Sequence, residues 1–526
     1  MKVPQLDFTP TVPVLLRQAL RRYRDQYLVV TAKERLSFGE AEALSAKLAN
    51  VFVSAGVGKG SRVGLMLPSS PAWVIAWLAL ARIGAMSMLF STTYRSSEIG
   101  NALRAGDVQY LITCDTMFGR DLGQEIESAA PGIKTQRAGQ YRLSSAPCLR
   151  QVWLMGQRRH PWAHSLDLDF LERELDPTIS DDFLSSLEDR VTPADVLTVI
   201  YTSGSSAEPK AVMHTHGVAV RKVAPQVGLG LASSKPGVVF LAMPLFWVGG
   251  PQSVLGALHS GSTILCQHKF DAGAALELIE GERATEIAGW ATMLENLRSH
   301  PSYASRDLRS IASPQPTPQA GAPGAALSSR GHPRNLGMTE TFGPHGDRAY
   351  FDYKVIDRAS GQSLPDGEEG EFCVRGFGLT TGIYGREREE VFDADGYYHT
   401  GDRGYIENGS IYFTGRYSEM IKTGGANVAP LEVEATLLTL EEIDQAYVFG
   451  LPDKALGEVV TAVLVPTDGV LCDPREVQEQ LKDRLSVYKI PRRFHMVTAQ
   501  EVPHLGSGKP DKRSLRQWAL QQRDSN

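Results

Sequence analysis

Apolar and polar positions change rhythm repeatedly along the chain, and the changes predict two kinds of element. Apolar, β-branched runs such as Ser61–Leu67, Val108–Cys114, Val196–Tyr201 and Val238–Met243 read as buried strands. Longer stretches between them, Phe38–Ala55 among them, carry helical spacing. Strands alternating with helices through roughly the first four hundred residues predict α/β layers. The longest apolar run near the N-terminus, Ala72–Ala81, stops at Arg82 and is too short to span a bilayer. Gln136–Ser185 is polar and irregular and reads as a surface excursion.

The rhythm shifts near Gly415. Before it, Tyr405-Ile406 and Ile411-Tyr412-Phe413 flank a tight turn and predict an antiparallel hairpin. After Tyr417 comes a compact α+β unit of roughly a hundred residues, a size suited to a small domain. Pro430 suits a helix start. Asp473 and Pro474 suit an N-cap and first position, with Val477, Leu481 and Leu485 on one apolar face. The division expected is 1–416 for a large multi-layer α/β domain and 417–526 for a small mobile α+β domain. A chain of 526 residues exceeds the usual limit for one core.

Composition narrows the function classes. The net charge of −6 carries no basic bias, so a nucleic-acid partner has no support. The five cysteines are scattered and lack CxxC spacing, which argues against a disulfide framework and a zinc site. Met1–Pro13 has no apolar signal core, and a cytoplasmic location without a membrane span is the expectation.

Candidate chemistry concentrates in TVIYTSGSSAEPKAVMHT, Thr198–Thr215. A buried strand runs into small hydroxyl residues, a glycine, a proline and a lysine, the make-up of a phosphate-cradling loop. Thr202, Ser203, Gly204, Ser205 and Ser206 offer hydroxyl and backbone donors, and Lys210 adds a point charge. The glycine–lysine spacing is not that of a Walker A loop. A plain surface loop is the competing reading of this segment alone.

Three further segments follow in order: NLGMTETFGP (Asn335–Pro344), YYHTGD (Tyr397–Asp402) running into GRYSEMIKTGGANVAPLEVEATL (Gly415–Leu437), and GSGKPDK (Gly506–Lys512). Together with the first loop and GVGKGSRVGLMLPSSPAWVIAWLALARIGA (Gly56–Ala85), the series resembles the adenylate-forming superfamily. That superfamily takes in acyl-CoA synthetases, aryl-CoA ligases, luciferase-like enzymes and peptide-synthetase adenylation domains. The resemblance runs from about residue 11 to about residue 515, and the fatty and carboxylic acid:CoA ligases look most similar through MPLFWVGG and GMTETFGP.

The resemblance implies a role for each motif. ATP would be held by the Ser203–Lys210 loop and by Gly337-Met338, Glu340 would ligate Mg²⁺, and Thr339 would meet the α-phosphate. Alone, Thr-Glu is also a helix-start pairing. Asp402 would accept from the ribose hydroxyls, and Arg416 would add a second ribose or phosphate contact. Lys509 matches the mobile catalytic lysine, Ser418 the hinge between two orientations of the small domain, and Gly424-Gly425 the channel for the pantetheine of coenzyme A. Trp247, Val248 and Gly249, with Trp290 nearby, would line the acid's pocket. No charged residue sits in either segment, so an apolar or aromatic acid is expected.

Departures are local. Leu336 stands where an aromatic residue usually stacks on adenine, and Ile311–Arg334 is rich in Pro, Ser, Ala and Gly where a strand, an adenine loop and a helix are expected. The expectation is an ATP-dependent ligase that adenylates a carboxylic acid and passes it to coenzyme A. Transfer to an amine or a carrier-protein thiol is the first rival, and an acyl- or nucleotide-binding protein with little turnover the second.

Overall fold

The computed structural model describes residues 3–522 apart from 157–159, 168–174, 203–208, 225–235, 290, 312–316, 319–335, 346–349, 418–419, 468–469, 471 and 504–509. Two large sheets dominate the N-terminal part. One runs Gly382–Ile383, Lys210–Thr215, Val196–Thr202, Met86–Leu89, Arg62–Met66, Tyr110–Cys114, Gln151–Met155 and His164–Ser165. Its strands are parallel from Val196–Thr202 onward, with Lys210–Thr215 turned back antiparallel on that strand. The other is centred on Val238–Leu241, Thr263–Leu265 and Tyr27–Val30.

A single core joins both sheets. It takes Val29, Leu241 and Ile264 from one, Val63, Leu89 and Ile200 from the other, and Leu16, Phe52, Trp77 and Leu255 from helices packed against them. Helix Pro71–Arg82 shows why its sequence is apolar all round rather than along one stripe: Trp73, Val74, Trp77, Leu78 and Leu80 are all fully buried. Ser70 caps it by accepting from the Trp73 amide, and Pro71 sits in its first turn. The predicted helix forms at Phe38–Ser54, opened by a reciprocal Ser37–Glu40 capping box. Among the described residues no helix is long and apolar enough to cross a membrane.

One expectation fails in the segment 136–185. Gln151–Met155 is a strand paired in parallel with Tyr110–Cys114, and Val152 and Trp153 are fully buried. The physical reason is length. Five residues between polar loops leave too short a run to show a period, yet the sheet buries both of its faces.

Beyond the two sheets, Phe351–Ile356, Gly370–Gly376, Tyr398–Glu407 and Ser410–Arg416 form a four-stranded antiparallel sheet. The expected hairpin is its last pair, turning at Asn408-Gly409. A smaller C-terminal domain follows. It has a five-stranded sheet led by Ile443–Asp453 and Gly457–Pro466, covered by helices Pro430–Leu437 and Pro474–Lys482. Asp473 caps the second helix through the Arg475 amide at 2.8 Å. Leu485 lies past that helix's end rather than on its face, but is buried with Val477 and Leu481.

Candidate active site

The motifs converge where Lys210–Thr215 meets the turn Thr339–Thr341 and strand Tyr398–Glu407. The turn is held from several sides. The Thr380 amide donates to the Glu340 carbonyl at 2.6 Å, while the Thr380 hydroxyl donates to the Met213 carbonyl at 2.7 Å. His214 Nε2 lies 2.7 Å from the Thr339 carbonyl. Burial pushes the His214 imidazole down to about 4, so it is neutral near pH 7 and donates.

Backbone strain fixes the end of that turn. Phe342 has φ +49° and Gly343 φ +89°. A Cβ on Gly343 would lie 2.2 Å from the Gln252 amide nitrogen, which instead donates to the Phe342 carbonyl at 2.7 Å. GMTETFG therefore closes on helix Gly249–Ser260, and only glycine fits its last position. Gly337 and Met338 sit just before the turn, paired with Pro344 and Gly343.

A short relay crosses the site. Lys210 Nζ donates to the Tyr398 hydroxyl at 3.3 Å, and that hydroxyl donates to Glu340 Oε1 at 2.7 Å. Tyr398 is buried, whereas Lys210, Thr339 and Glu340 are half-buried. A cation and a carboxylate thus face each other across a phenol. Tyr398 lies inside YYHTGD, yet sequence reasoning passed over it.

Thr202 ends its strand opposite Lys210 in register. Asp402 is buried on strand Tyr398–Glu407, directly opposite Arg416, and its amide is fixed by the Thr400 hydroxyl at 3.0 Å. Gly424-Gly425 forms the turn between Ile421–Thr423 and Ala426–Val428, packed by Leu456 of its own domain. Ser203, Gly204, Ser205, Ser206, Trp290, Ser418 and Lys509 lie outside the described residues, as does the side chain of Arg416. Ile311–Arg334 is almost wholly outside them too; Thr317-Pro318 pairs with Ala288-Gly289.

Trp247 and Val248 pack half-buried against the main core, with Gly249 opening the following helix. Gly250 makes the bend possible, since a Cβ there would lie 1.9 Å from the Leu245 carbonyl oxygen. Trp247, Phe246, Tyr94 and Tyr201 line a narrow pocket of about 20 Å³, closed by Tyr488 and Lys489 of the C-terminal domain. Lys489 is a charged member of this lining, contributed from outside the two segments read for the acid's pocket. No local pattern flags that residue, because its neighbours are distant in the chain. A wider cleft of about 150 Å³ is lined by Met243, Pro244, Thr92, Phe118 and Lys269. Among the described residues no cluster of three His, Cys, Asp or Glu side chains is arranged to hold a metal.

Known proteins resemble the chain over most of its length. The profile of the AMP-binding enzyme family matches residues 16–384, and that of the AMP-binding enzyme C-terminal domain matches 432–509. The chain is 26% identical to a putative acyl-CoA synthetase, YngI, of Bacillus subtilis (strain 168), over 97% of each chain. It is 30% identical to a feruloyl-CoA synthase of an Amycolatopsis species, over 90% of this chain and 92% of that one. Among solved structures, the amide bond synthetase McbA from Marinactinospora thermotolerans shares the fold. Its TM-score is 0.75 at 23% identity, over 96% of this chain and 99% of that one.

Proposed function

The chain belongs to the AMP-binding enzyme family, and on that premise we propose that it is an AMP-forming acid:CoA ligase. It activates a fatty, alicyclic or aromatic carboxylic acid with ATP in the cytoplasm. The acid's carboxylate oxygen attacks the α-phosphorus and pyrophosphate leaves. The coenzyme A thiol then attacks the acyl carbon of the adenylate and AMP leaves. Relatives named as acyl-CoA and feruloyl-CoA synthetases support the acceptor. The single observation that carries the reading is the convergence of Lys210, Tyr398 and Glu340, drawn from three separate motifs.

Each residue takes a role in that chemistry. Thr202, the 203–206 loop and Lys210 grip the phosphates, Thr339 meets the α-phosphate, and Gly337-Met338 lie along the nucleotide. Asp402 and Arg416 hold the ribose. Lys509 is the catalytic lysine, brought in by a C-terminal domain that begins at 417 and turns at Ser418. Gly424-Gly425 borders the thiol's path, and Trp247, Val248, Gly249 and Trp290 face the acid. Charge neutralisation by Lys210 and Lys509 stabilises the pentavalent centre, because charges already in place there need little reorganisation.

Mg²⁺ fits a site with one protein carboxylate, since that ion keeps several waters and binds through substrate phosphates. Glu340 would hold it, and the ion would neutralise charge on the triphosphate. No further carboxylate is needed.

The test is ATP- and Mg²⁺-dependent adenylate formation, trapped with hydroxylamine, across short, medium, long-chain and aromatic acids. Hydroxamate from one acid class, and thioester once coenzyme A is added, is the expected result. Hydroxamate with product only from amines would make the chain an amide-forming ligase. No hydroxamate from folded protein would overturn the adenylation itself.

A further inference from the structure

The C-terminal domain reaches the large domain through residues 484–489, and the contact is built on charge. Glu98 stands in the first turn of the large-domain helix Ser96–Ala105, where it also accepts from the Arg95 amide at 3.0 Å. Lys489 Nζ donates to Glu98 Oε1 at 2.7 Å and to Glu432 Oε1 of its own domain at 2.7 Å. The Ser486 hydroxyl lies 2.9 and 2.7 Å from the two Glu98 oxygens, and the Ser97 hydroxyl donates to the Arg484 carbonyl at 2.7 Å.

This cluster is buried. The Lys489 side chain is 3% exposed and that of Glu98 8%. The rings of Tyr94 and Tyr488 flank the ammonium, each centroid 5.8 Å away. Burial alone would favour loss of the Lys489 proton, but Tyr488, Glu98 and Glu432 hold its pKa well above the usual lysine value. An ammonium this enclosed is stable only with its carboxylates in place, so removing either side exposes an uncompensated charge.

The cluster ends on the pocket. Tyr488 and Lys489 line the same small space as Phe246, Trp247 and Tyr201. About 20 Å³ remains there, room for little more than one water.

We propose that Lys489 is a positioning residue: pinned by Glu98 and Glu432, it seats the C-terminal domain so that Tyr488 walls the pocket beside Trp247 and limits the bulk of the acid. The limit on the acid rests on the proposed activity. The seating does not.

Hydrogen exchange on the full chain reads the seating directly. Lys489→Met raises amide exchange by at least about tenfold across 94–99 and 484–490, well beyond any rise in the rest of the chain, and Lys489→Arg restores protection. Unchanged exchange in folded Lys489→Met overturns the seating. Should Lys489→Met loosen the C-terminal domain throughout, Glu98→Gln carries the test, because it leaves the Lys489–Glu432 pair intact. It must then show the same local rise, and its absence overturns the seating. Tyr488→Ala shifts the kcat/KM ratio by about tenfold or more toward bulkier acids, within what pocket shape commands. No shift overturns the wall. If the wild-type chain turns over no acid, the proposed activity fails while the exchange result still decides the seating.

Discussion

Lys210 and Lys489 each stand near carboxylates, one on the large domain and one on the small, and their surroundings differ in kind. Lys489 touches Glu98 and Glu432 directly, in a largely buried interface. Lys210 is half-buried and, among the described residues, approaches Glu340 only through the Tyr398 hydroxyl. A direct buried pair cancels its own field, and its worth lies in geometry rather than in charge presented to a ligand. A pair held apart by a neutral phenol leaves both charges able to meet a third partner at small desolvation cost. The difference separates a contact between domains from one that, on the proposed function, is left open to substrate.

Glu340→Gln strikes the bridged pair hardest. Adenylate formation falls by about 10²–10³-fold, the scale of losing one charge-stabilising group, while the melting temperature hardly moves. Hydroxamate assays beside thermal melts check this, and a lowered melting temperature at normal rate would break the comparison. Lys489→Met should do the reverse. Two buried carboxylates lose their cation, which costs about 3–5 kcal/mol in the transition reporting the C-terminal domain, read by urea unfolding. A loss below about 1 kcal/mol would class Lys489 with ordinary surface pairs.

The two lysines also differ in how far the chain announces them. Lys210 follows an apolar, β-branched run and a hydroxyl-rich loop, so strand, turn and charge were all readable together. The contacts of Lys489 stand at 98 and 432, distances that no local period encodes. Tyr398 sits in a motif read for Asp402, and nothing in sequence says which neighbour its strand presents. The helices at Phe38 and Pro474 were legible because their caps and apolar faces agree. Strand Gln151–Met155 was not, because its burial is set by the neighbouring strand Tyr110–Cys114 rather than by its own pattern. The α/β layering was legible throughout, since alternation survives errors of a few residues at each end.

His214 offers a third case beside the lysines, a buried titratable group whose hydrogen bond goes to a neutral carbonyl rather than to a counter-charge. Its Nε2 meets the Thr339 carbonyl, and its Nδ1 has no hydrogen-bond partner among the described residues. Burial lowers the folded-state value from 6.5 to about 4. The unfolded chain therefore binds a proton at higher pH than the folded one. Stability from neutral His214 is complete above pH 6.5 and is lost as pH falls toward 4, by about 3 kcal/mol in all. His216, also buried and pushed down to about 3, adds a loss of the same sign. Urea unfolding between pH 7 and pH 4 should show the fall, and His214→Gln should flatten part of it. An unchanged slope in that variant would mean His214 takes up its proton over the same pH range in the folded and the unfolded chain.

Tyr398→Phe gives the smallest change and the sharpest reading of the bridge. The ring still packs with Phe392, so the core is kept and only the hydroxyl between Lys210 and Glu340 is lost. If the phenol merely spaces the charges, Lys210 relaxes toward Glu340 and the two form a direct pair. Stability then changes by no more than about 1 kcal/mol, the net worth of one hydrogen bond. The cost appears in binding instead, because ATP must first separate that pair. The KM for ATP should rise by about tenfold with kcat nearly unchanged, the pattern of lost ground-state binding. A fall in kcat at constant KM would instead place the hydroxyl in the transition state, and Tyr398 would join Thr339 among the groups that act on the α-phosphate.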